Sequence, residues 1–433
     1  MVDMKRLSVL VKELEERLTV CTRCGMCQSV CPVFAETCRE SDVARGKLAL
    51  LDGLVEGMFK DPEGVRERLS RCLLCGSCAA NCPSGVRALD IFLEARAILT
   101  GYMGLHPVKK IIFRGMLAHP KFFDGLMEWG AGLQGFFIKP ANTFQGTSCG
   151  RILPLPGERH VKALAPVPFH RAVPSLNTAP GASGIKVGFF PGCLVDKVYP
   201  NVASAVLSAL EHHGTGVFLP EGPGCCGIPA LSSGDLPAFD RLVRHNLEKF
   251  AEGEFDYLVT ACATCTATIR KYWPAMSRGL SGAERKQAEA LAEKTLDISQ
   301  FLVDKLGVTA RNAPEDAPGT MVTYHDPCHL KKSLGIGAQP RTILAASGGC
   351  RLVEMDEPDR CCGCGGSFNL QHYGLSASIG KRKREDILRT GCAVVATSCP
   401  ACMLHIADML SRAGDRVRVR HTIEIYAESL ARR

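Results

Sequence analysis

Two short cysteine runs with the same internal spacing constrain this chain more than any other feature of its sequence. Both read C-x2-C-x2-C-x3-C-P, once at residues 21–32 and again at residues 72–83. The two-residue gaps let one loop place three thiolates around three corners of an iron–sulfur cube. Zinc also accepts C-x2-C pairs, but it needs only four thiolates, so the triple spacing with a trailing Cys-Pro favours iron.

In runs of this kind the fourth cysteine is displaced, precedes proline and binds the cluster of the other run. The sequence therefore predicts two cubane [4Fe–4S] clusters with exchanged ligands. The ligands are Cys21, Cys24, Cys27 and Cys82 for the first cluster, and Cys72, Cys75, Cys78 and Cys31 for the second. Gly25 and Gly76 let the backbone approach the sulfur atoms, and we expect Arg23 and Arg71 to offset the cluster charge.

The second half of the chain carries a five-cysteine pattern twice, in the order single cysteine, adjacent pair, C-x-x-C. The two sets are Cys193, Cys225, Cys226, Cys262 and Cys265, and Cys328, Cys361, Cys362, Cys399 and Cys402. The single cysteine precedes the pair by 32 positions in one set and by 33 in the other, which indicates an internal repeat. Adjacent side chains diverge, so they suit a multinuclear cluster better than one tetrahedral ion. Zinc or a purely structural cluster remains the alternative for each set.

The hydrophobic pattern predicts an α+β protein. Its predicted parts are an all-helical ferredoxin-type domain at 1–100, a connecting segment at 101–184, and two repeated α/β modules with Cys-Cys-Gly motifs at 185–307 and 320–433. Short buried strands are predicted at 186–190, 256–261, 321–325 and 393–398. Each strand runs into a cysteine loop, and open α/β sheets hold their sites at such strand ends.

The connecting segment differs in kind from the rest. Residues 105–139 are apolar with interspersed basic side chains, and Pro107 and Pro120 interrupt them, so they cannot cross a bilayer as one helix. Helices packed on the neighbouring domain are the favoured interpretation, with contact to a membrane or a partner as the alternative. Residues 140–183 are rich in Pro, Gly and Ser, which predicts a linker or a surface strap.

Composition and motifs exclude several functions. The net charge of +8 is spread along 433 residues and aromatic residues make up only 6%, so nucleic-acid binding is not expected. The basic run 381–384 is followed by two acidic residues, which favours a solvated helix face. Residues 222–227 fit G-x-G-x-x-G but do not open a helix after a strand, so no flavin, nicotinamide or nucleotide site is predicted.

The beginning of the chain has no apolar signal region, and its thiols are clustered as metal ligands are in a reducing compartment. These features predict a cytoplasmic protein. Peripheral attachment to the inner face of the cytoplasmic membrane is left open.

Four segments resemble a known family. They are GPGCCGIP (222–229), DRCCGCGGSF (359–368), RCLLCGSCAANCPSGV (71–86) and ARGKLALL (44–51). The resemblance is to the iron–sulfur subunits of glycolate oxidase and lactate dehydrogenase systems, which share a cysteine-rich domain with heterodisulfide reductase catalytic subunits. It covers nearly the whole chain and is weak only at 101–183.

The resemblance implies a noncubane [4Fe–4S] cluster in each complete five-cysteine set. It implies an oxidoreductase subunit that takes electrons from a separate flavin-containing 2-hydroxyacid (lactate or glycolate) dehydrogenase subunit. The electrons would pass toward a quinone, an electron-transfer flavoprotein or a membrane partner. The organic substrate would then bind another subunit, because this chain has no hydride-handling cofactor site. The alternative is a heterodisulfide-reductase-like catalytic subunit that reduces a disulfide at the noncubane clusters.

Several residues near these motifs are not assigned to them. Four cysteines are expected to behave as small core hydrophobes, namely Cys38, Cys149, Cys350 and Cys392. Cys364 is a weaker candidate for a sixth thiol near the second adjacent pair. Each of His325, His329 and His405 could hydrogen-bond a sulfur, but a structural role is the favoured interpretation.

Overall fold

The chain folds as a mixed α+β protein with three sheets, in agreement with the predicted fold class. The structure is a computed structural model that describes residues 4–59, 61–151, 155–310 and 319–431. The described residues up to Met103 contain no strand. Their helices are α1 (Met4–Val11), α2 (Glu15–Leu18), α3 (Met26–Val30), α4 (Phe34–Thr37), α5 (Ala44–Val55), α6 (Pro62–Ser70), α7 (Ser77–Ala80) and α8 (Ala88–Met103).

The helices around the two cysteine runs form because their apolar residues recur at three- and four-residue steps. Leu7 of α1, Leu14 of the 3-10 turn that follows it and Leu18 of α2 are buried. Asp61 begins α6, where its carboxylate accepts hydrogen bonds from two backbone N–H groups of the first turn. Helix α8 carries Phe92 into the shared core.

The connecting segment is more regular than the sequence suggested. Its elements are α9 (Pro107–Lys110), a π-helix (Ile111–Leu117), α10 (Pro120–Phe137), β1 (Ile138–Asn142), β2 (Thr147–Gly150), β3 (Val161–Lys162), α11 (Phe169–Ala172) and β4 (Leu176–Asn177). Strands β1, β2 and β3 form an antiparallel sheet, which gives part of the segment 140–183, expected to be a linker or a surface strap, a regular extended structure. Residues 152–154 of that linker lie outside the described residues. Every helix in the described part of the chain is too short or too polar to traverse a bilayer.

The first module contains a five-stranded sheet in the order β4-β6-β5-β7-β8. Its strands are β5 (Lys186–Phe190), β6 (Gly216–Leu219), β7 (Tyr257–Thr260) and β8 (Thr295–Asp297), and its helices are α12 (Cys193–Lys197), α13 (Pro200–His212), α14 (Ile228–Ser232), α15 (Leu236–Phe250), α16 (Ala263–Ala267), a π-helix (Thr268–Tyr272), α17 (Trp273–Met276), α18 (Gly282–Lys294) and α19 (Ile298–Asp304). Strand β4 joins the edge antiparallel, and the other neighbours are parallel.

The second module contains a four-stranded parallel sheet in the order β10-β9-β11-β12. Its elements are β9 (Thr320–Tyr324), α20 (Cys328–Leu334), α21 (Ala338–Ala346), β10 (Cys350–Leu352), α22 (Ser367–Gln371), α23 (Tyr373–Arg389), β11 (Val394–Thr397), α24 (Pro400–Ala413), β12 (Arg418–His421) and α25 (Thr422–Ala431). This is the strand order of the first module without the added edge strand β4.

The topology brings the module cysteines to one edge of each sheet. In the first module Cys193 follows β5, the adjacent pair follows β6, and Cys262 follows β7. Because these strands are parallel, their carboxyl ends meet at the same edge. One hydrophobic core joins the N-terminal helices to both modules, and Leu7, Phe239 and Leu410 all belong to it. The cysteine loops of the three parts therefore face one another across a shared interior.

Candidate iron–sulfur centres

The first cysteine run surrounds a surface hollow of about 410 Å³, counting the space open to solvent. Cys21, Cys24 and Cys27 line the hollow from the run itself, and Cys82 reaches it from the second run together with Cys78. Cys24 is exposed. The structure therefore brings together, at the molecular surface, the four cysteines predicted for the first cluster.

A second group of thiols, Cys31, Cys72, Cys75 and Cys78, lies close together; Cys75 is buried and the other three are partly buried. Cys78 interacts electrostatically with the other three and also with Cys27 of the first group. Backbone N–H groups donate to two of the sulfur atoms, at 3.5 Å for Cys31 and 3.4 Å for Cys72. Burial raises the pKa of the Cys31 thiol to about 12. Burial therefore disfavours the thiolate here, and nearby positive charge, such as that of Lys47, favours it.

The five cysteines of the first module form a continuous line of contacts. The Sγ atoms of Cys193 and Cys225 are 3.8 Å apart. The thiol of Cys225 contacts that of Cys226, which contacts that of Cys265, and Cys265 in turn contacts Cys262.

The second module repeats this order of contacts with its own five cysteines. The thiols of Cys328 and Cys361 are in contact, followed by Cys361 with Cys362, Cys362 with Cys402, and Cys402 with Cys399. Cys364 is nearby and interacts electrostatically with Cys362 and Cys361, but no thiol contact joins it to the line within the described residues.

The glycine after each adjacent cysteine pair is required by the backbone. Gly227 has a φ of 92° and Gly363 a φ of 90°, in the left-handed region that side chains other than glycine rarely adopt. A Cβ atom would lie 2.6 Å from the ring of Phe239 in the first case and 2.6 Å from the carbonyl oxygen of Ser376 in the second. In this conformation each glycine N–H donates to the first sulfur of its pair at 3.4 Å.

Two contacts join the thiol groups to one another. The thiol of Cys75 in the second run contacts that of Cys361 in the second module. The thiol of Cys262 in the first module contacts that of Cys399 in the second module. The spatial order is therefore first run, second run, second module, first module, which is not the order along the chain.

Two lysines with largely covered side chains supply positive charge to the thiols of the second group. The side chain of Lys332 is 9% exposed, and its ammonium group donates to Ser77 Oγ at 2.8 Å. Burial lowers the pKa of Lys332, but the charges of Cys75, Asp359 and Cys361 outweigh it and the net shift is upward. Lys47 is 1% exposed, donates to the carbonyl oxygen of Asp42 and interacts with Cys31 and Cys72.

The arginines expected to offset the cluster charge are engaged elsewhere. Arg23 is 68% exposed and pairs with Asp52 on the surface. Arg71 pairs with Glu67 at 2.6 Å. Neither of these largely covered lysines was predicted, because a lysine in a helical pattern normally indicates a solvated face.

The three histidines near the module cysteines differ in whether their ring nitrogens have hydrogen-bond partners. His329 bonds Leu74 O and Thr264 Oγ1, and His405 bonds Asn369 and Ser376, so both have the structural role that was favoured. His325 is 1% exposed, and neither ring nitrogen has a hydrogen-bond partner within the described residues. A ring nitrogen of His325 lies within 4.8 Å of the sulfur atoms of Cys362 and Cys402. Burial lowers the pKa of His325 to about 3, so the ring is neutral.

A cleft of about 510 Å³, counting the space open to solvent, reaches the thiols of the first module. Cys193 and Cys225 belong to its lining, and most of the remaining wall is apolar. Leu117 and Phe123 of the connecting segment contribute to that wall. The first run and the first module are the two ends of the spatial order. The hollow at Cys24 opens the first to solvent, and this cleft opens the second.

Five ionisable side chains form a chain of contacts beside this cleft. Lys197 lies 2.6 Å from a carboxylate oxygen of Asp124 and 2.5 Å from one of Asp196. His170 lies 2.9 Å from Asp196 through Nδ1 and 2.8 Å from Glu128 through Nε2. Asp124, His170 and Asp196 could hold a cation by their spacing, but the ammonium of Lys197 already supplies positive charge there.

The donor chemistry fits iron–sulfur clusters. The eighteen cysteines of the four groups are free thiols, and backbone N–H groups donate to sulfur in the second run and in both modules. Such N–H donation stabilises thiolates that bind an anionic cluster. Clusters bound here would supply one-electron redox chemistry.

Comparison with known proteins agrees with this chemistry. The family model described as 4Fe-4S dicluster domain matches residues 17–86, and the model described as Cysteine-rich domain matches residues 187–270 and 322–407. A fumarate reductase (CoM/CoB) subunit of Methanothermobacter marburgensis is 30% identical over 419 residues, which are 95% of this chain and 72% of that protein.

Two further relatives match different extents of the chain. A Bacillus subtilis protein named as a probable glycolate oxidase iron-sulfur subunit is 28% identical over 441 residues, 99% of this chain and 98% of that protein. Lactate utilization protein A of an Exiguobacterium species is 32% identical over 244 residues, 56% of this chain and 98% of that protein. This chain therefore belongs to the glycolate oxidase and lactate-utilisation family of iron–sulfur subunits, and it is an electron-transfer component of an oxidoreductase complex.

Proposed function

We propose that this chain is the iron–sulfur subunit of a lactate or glycolate dehydrogenase complex and that electrons follow the spatial order of the four thiol groups. The contacts Cys75 to Cys361 and Cys262 to Cys399 carry this proposal, because they make the four groups continuous. A flavin-containing subunit would oxidise the 2-hydroxyacid, and a quinone, an electron-transfer flavoprotein or a membrane partner would receive the electrons. A cytoplasmic location remains part of the proposal.

The proposed ligands are those predicted from the sequence. The two runs would each contribute three cysteines and exchange their fourth, Cys82 and Cys31, to hold two cubane clusters. The two five-cysteine sets would each hold a noncubane [4Fe–4S] cluster. We propose residues 1–100, 185–307 and 320–433 as the domains that carry these sites, with residues 101–184 as the segment that connects the first two.

Metal analysis of the anaerobically purified protein tests the ligand sets. We expect about sixteen irons and as many sulfides per chain, with EPR signals beyond those of two cubanes. Cys226→Ser and Cys362→Ser should each lose about four irons, since each removes a ligand from one module. Cys392→Ser is the matched control, because Cys392 is also buried but lies outside the four groups. About eight irons in the wild type, with zinc in the modules, would overturn the assignment.

Reduction by substrate tests the function itself. The purified chain is mixed anaerobically with a flavin-containing lactate or glycolate dehydrogenase subunit and its acid, and cluster reduction is followed by EPR. Reduction that requires both the flavoprotein and the acid supports the proposal. Clusters that dithionite reduces but the acid and flavoprotein do not would refute it.

A disulfide reductase is the second candidate, and one observation favours it. The cleft reaches Cys193 and Cys225 of a complete five-cysteine set, so a small molecule could approach a cluster there. Reoxidation of the reduced protein by a mixed disulfide of two thiols, with stoichiometric thiol release, would favour this candidate. Reoxidation by a quinone but not by the disulfide would exclude it.

A further inference from the structure

Helix α10 presents its apolar side to solvent. None of its 18 residues is buried, although it contains many large apolar side chains. Phe122, Trp129 and Phe136 are 58%, 67% and 69% exposed. They recur at intervals of seven residues, which is close to two helical turns, so they form one stripe along the helix.

The helix is anchored by its polar side, which reverses the usual arrangement of a surface helix. Asp124 pairs with Lys197, and Glu128 pairs with His170 and Arg171 of the segment that precedes the first module. Because these contacts hold the polar side inward, the aromatic stripe has no partner among the described residues. Helix α10 is thus packed on the neighbouring module, as the favoured interpretation of residues 105–139 expects, through Phe123 and its acidic residues, while its aromatic stripe stays uncovered.

The helical turns that precede α10 also expose apolar side chains. Val108, Ile111 and Ile112 are 57%, 64% and 41% exposed. We call Phe122, Trp129 and Phe136 the aromatic face.

The exposed charges that the segment 105–139 itself carries are of one sign. Lys110, Lys121 and Lys139 are exposed. Asp124 and Glu128 are the only acidic residues between positions 105 and 139, and both are engaged in the inward ion pairs. A surface with exposed aromatic and aliphatic side chains, a fringe of lysines and no unpaired acid in this described segment is complementary to the headgroups of an anionic bilayer.

We propose that the aromatic face is a docking surface for an anionic phospholipid membrane, in which Phe122, Trp129 and Phe136 insert at the interface. Tryptophan is favoured at this depth because its ring is apolar while its N–H group reaches the headgroups. The cleft beside Cys193 shares residues of the same segment, so docking would bring the thiols of the first module toward the bilayer.

The two tryptophans of the chain make the test specific. Trp273 is fully buried, and its indole N–H donates to the carbonyl oxygen of Cys226, so only Trp129 can report on solvent or lipid. The oxidised protein is mixed with vesicles of phosphatidylcholine or of phosphatidylcholine with phosphatidylglycerol. We expect cosedimentation, a blue shift of tryptophan emission and quenching by brominated lipid with the anionic vesicles, and much weaker binding to the neutral ones.

Two variants distinguish membrane docking by the aromatic face from nonspecific hydrophobic binding to vesicles. The double variant Phe122→Ser/Phe136→Ser should weaken vesicle binding by about tenfold or more per side chain removed from the membrane. Val9→Ser/Met58→Ser is the matched control, because Val9 and Met58 are 68% and 72% exposed in the N-terminal part, and it should bind as the wild type does. Both variants should retain the wild-type iron content and EPR spectrum.

Three results would overturn the proposal. One is an emission spectrum that anionic vesicles do not change, and another is binding that the Phe122→Ser/Phe136→Ser variant retains. The third is protection of Trp129 from acrylamide by the flavoprotein subunit when vesicles have no effect, which would make the face a subunit interface. The vesicle assays need no substrate, no flavoprotein and no electron transfer, so their outcome is independent of the proposed dehydrogenase function.

Discussion

Replacing Lys332 by glutamine should lower the reduction potential of the cluster held by the second run. Ser77 Oγ lies 2.8 Å from the ammonium of Lys332 and 3.4 Å from Cys75 Sγ, so the charge and the sulfur are within about 6 Å. The Lys332 side chain is 9% exposed, so solvent screens this interaction only weakly. At an effective dielectric constant of about 20, one charge at this distance contributes about 2–3 kcal/mol. For one electron that energy corresponds to about 100 mV.

The sign follows from the charge of the reduced cluster. Reduction adds one negative charge, and the ammonium stabilises that charge, so its removal makes the reduced state less favourable. Asp359, which now pairs with Lys332, would remain as an uncompensated carboxylate and would act in the same direction. We therefore expect a more negative midpoint potential in Lys332→Gln.

An anaerobic redox titration followed by EPR measures the shift. Lys381→Gln removes the same formal charge from an exposed position of the second module, and its potential should stay within about 20 mV of the wild type. Iron content should be unchanged in both variants. A Lys332→Gln potential that equals that of Lys381→Gln, or that moves in the positive direction, would refute the electrostatic role of Lys332.

Three further predictions concern stability. The hydrogen bond to Asp196 raises the pKa of His170. The protonated His170 therefore stabilises the folded protein below about pH 6.5, and this stabilisation is lost as the pH rises through the raised pKa of His170. Thermal unfolding followed by circular dichroism should show this loss in the wild type and not in His170→Gln. Arg96→Met removes a buried guanidinium that donates to three backbone carbonyls between α8 and its neighbours, and urea unfolding should show a loss of about 3 kcal/mol. Trp273→Phe removes the hydrogen bond to the carbonyl oxygen of Cys226, so it should cost about 1 kcal/mol, and a chelator should extract iron from the first module faster.

The sequence predicted the local features because their causes are local. The strands at 186–190 and 256–261 were correct to within about one residue at each end, since alternating and continuous apolar runs report directly on burial in a sheet. The cysteine spacing identified the chemistry because the chain geometry of a few residues limits which sulfur atoms can share a cluster. The α+β class followed from these strands and from the helical pattern around the two runs.

The features that the sequence did not predict depend on long-range packing. The contact between Cys75 and Cys361 joins residues 286 positions apart, and no local pattern contains it. The run 381–384 was predicted to be a solvated helix face, but Lys383 is 1% exposed and pairs with Asp386. The helical period of 3.6 residues predicts which face of the helix carries a lysine, but it does not predict which neighbouring element covers that face.

The two groups at the ends of the spatial order, the first run and the first module, have different surroundings, and this difference orients the proposed complex. At one end Cys24 is exposed beside a hollow whose lining comes entirely from the N-terminal part, where a protein partner can approach. At the other end the cleft beside Cys193 is walled by Leu117 and Phe123 of the same segment that carries the aromatic face. If that face lies on the membrane, a lipophilic acceptor reaches the first module directly from the bilayer, and the first run is left for the flavoprotein. The spatial order of the groups, which places the second module in the interior, then connects a donor in the aqueous phase to an acceptor at the membrane.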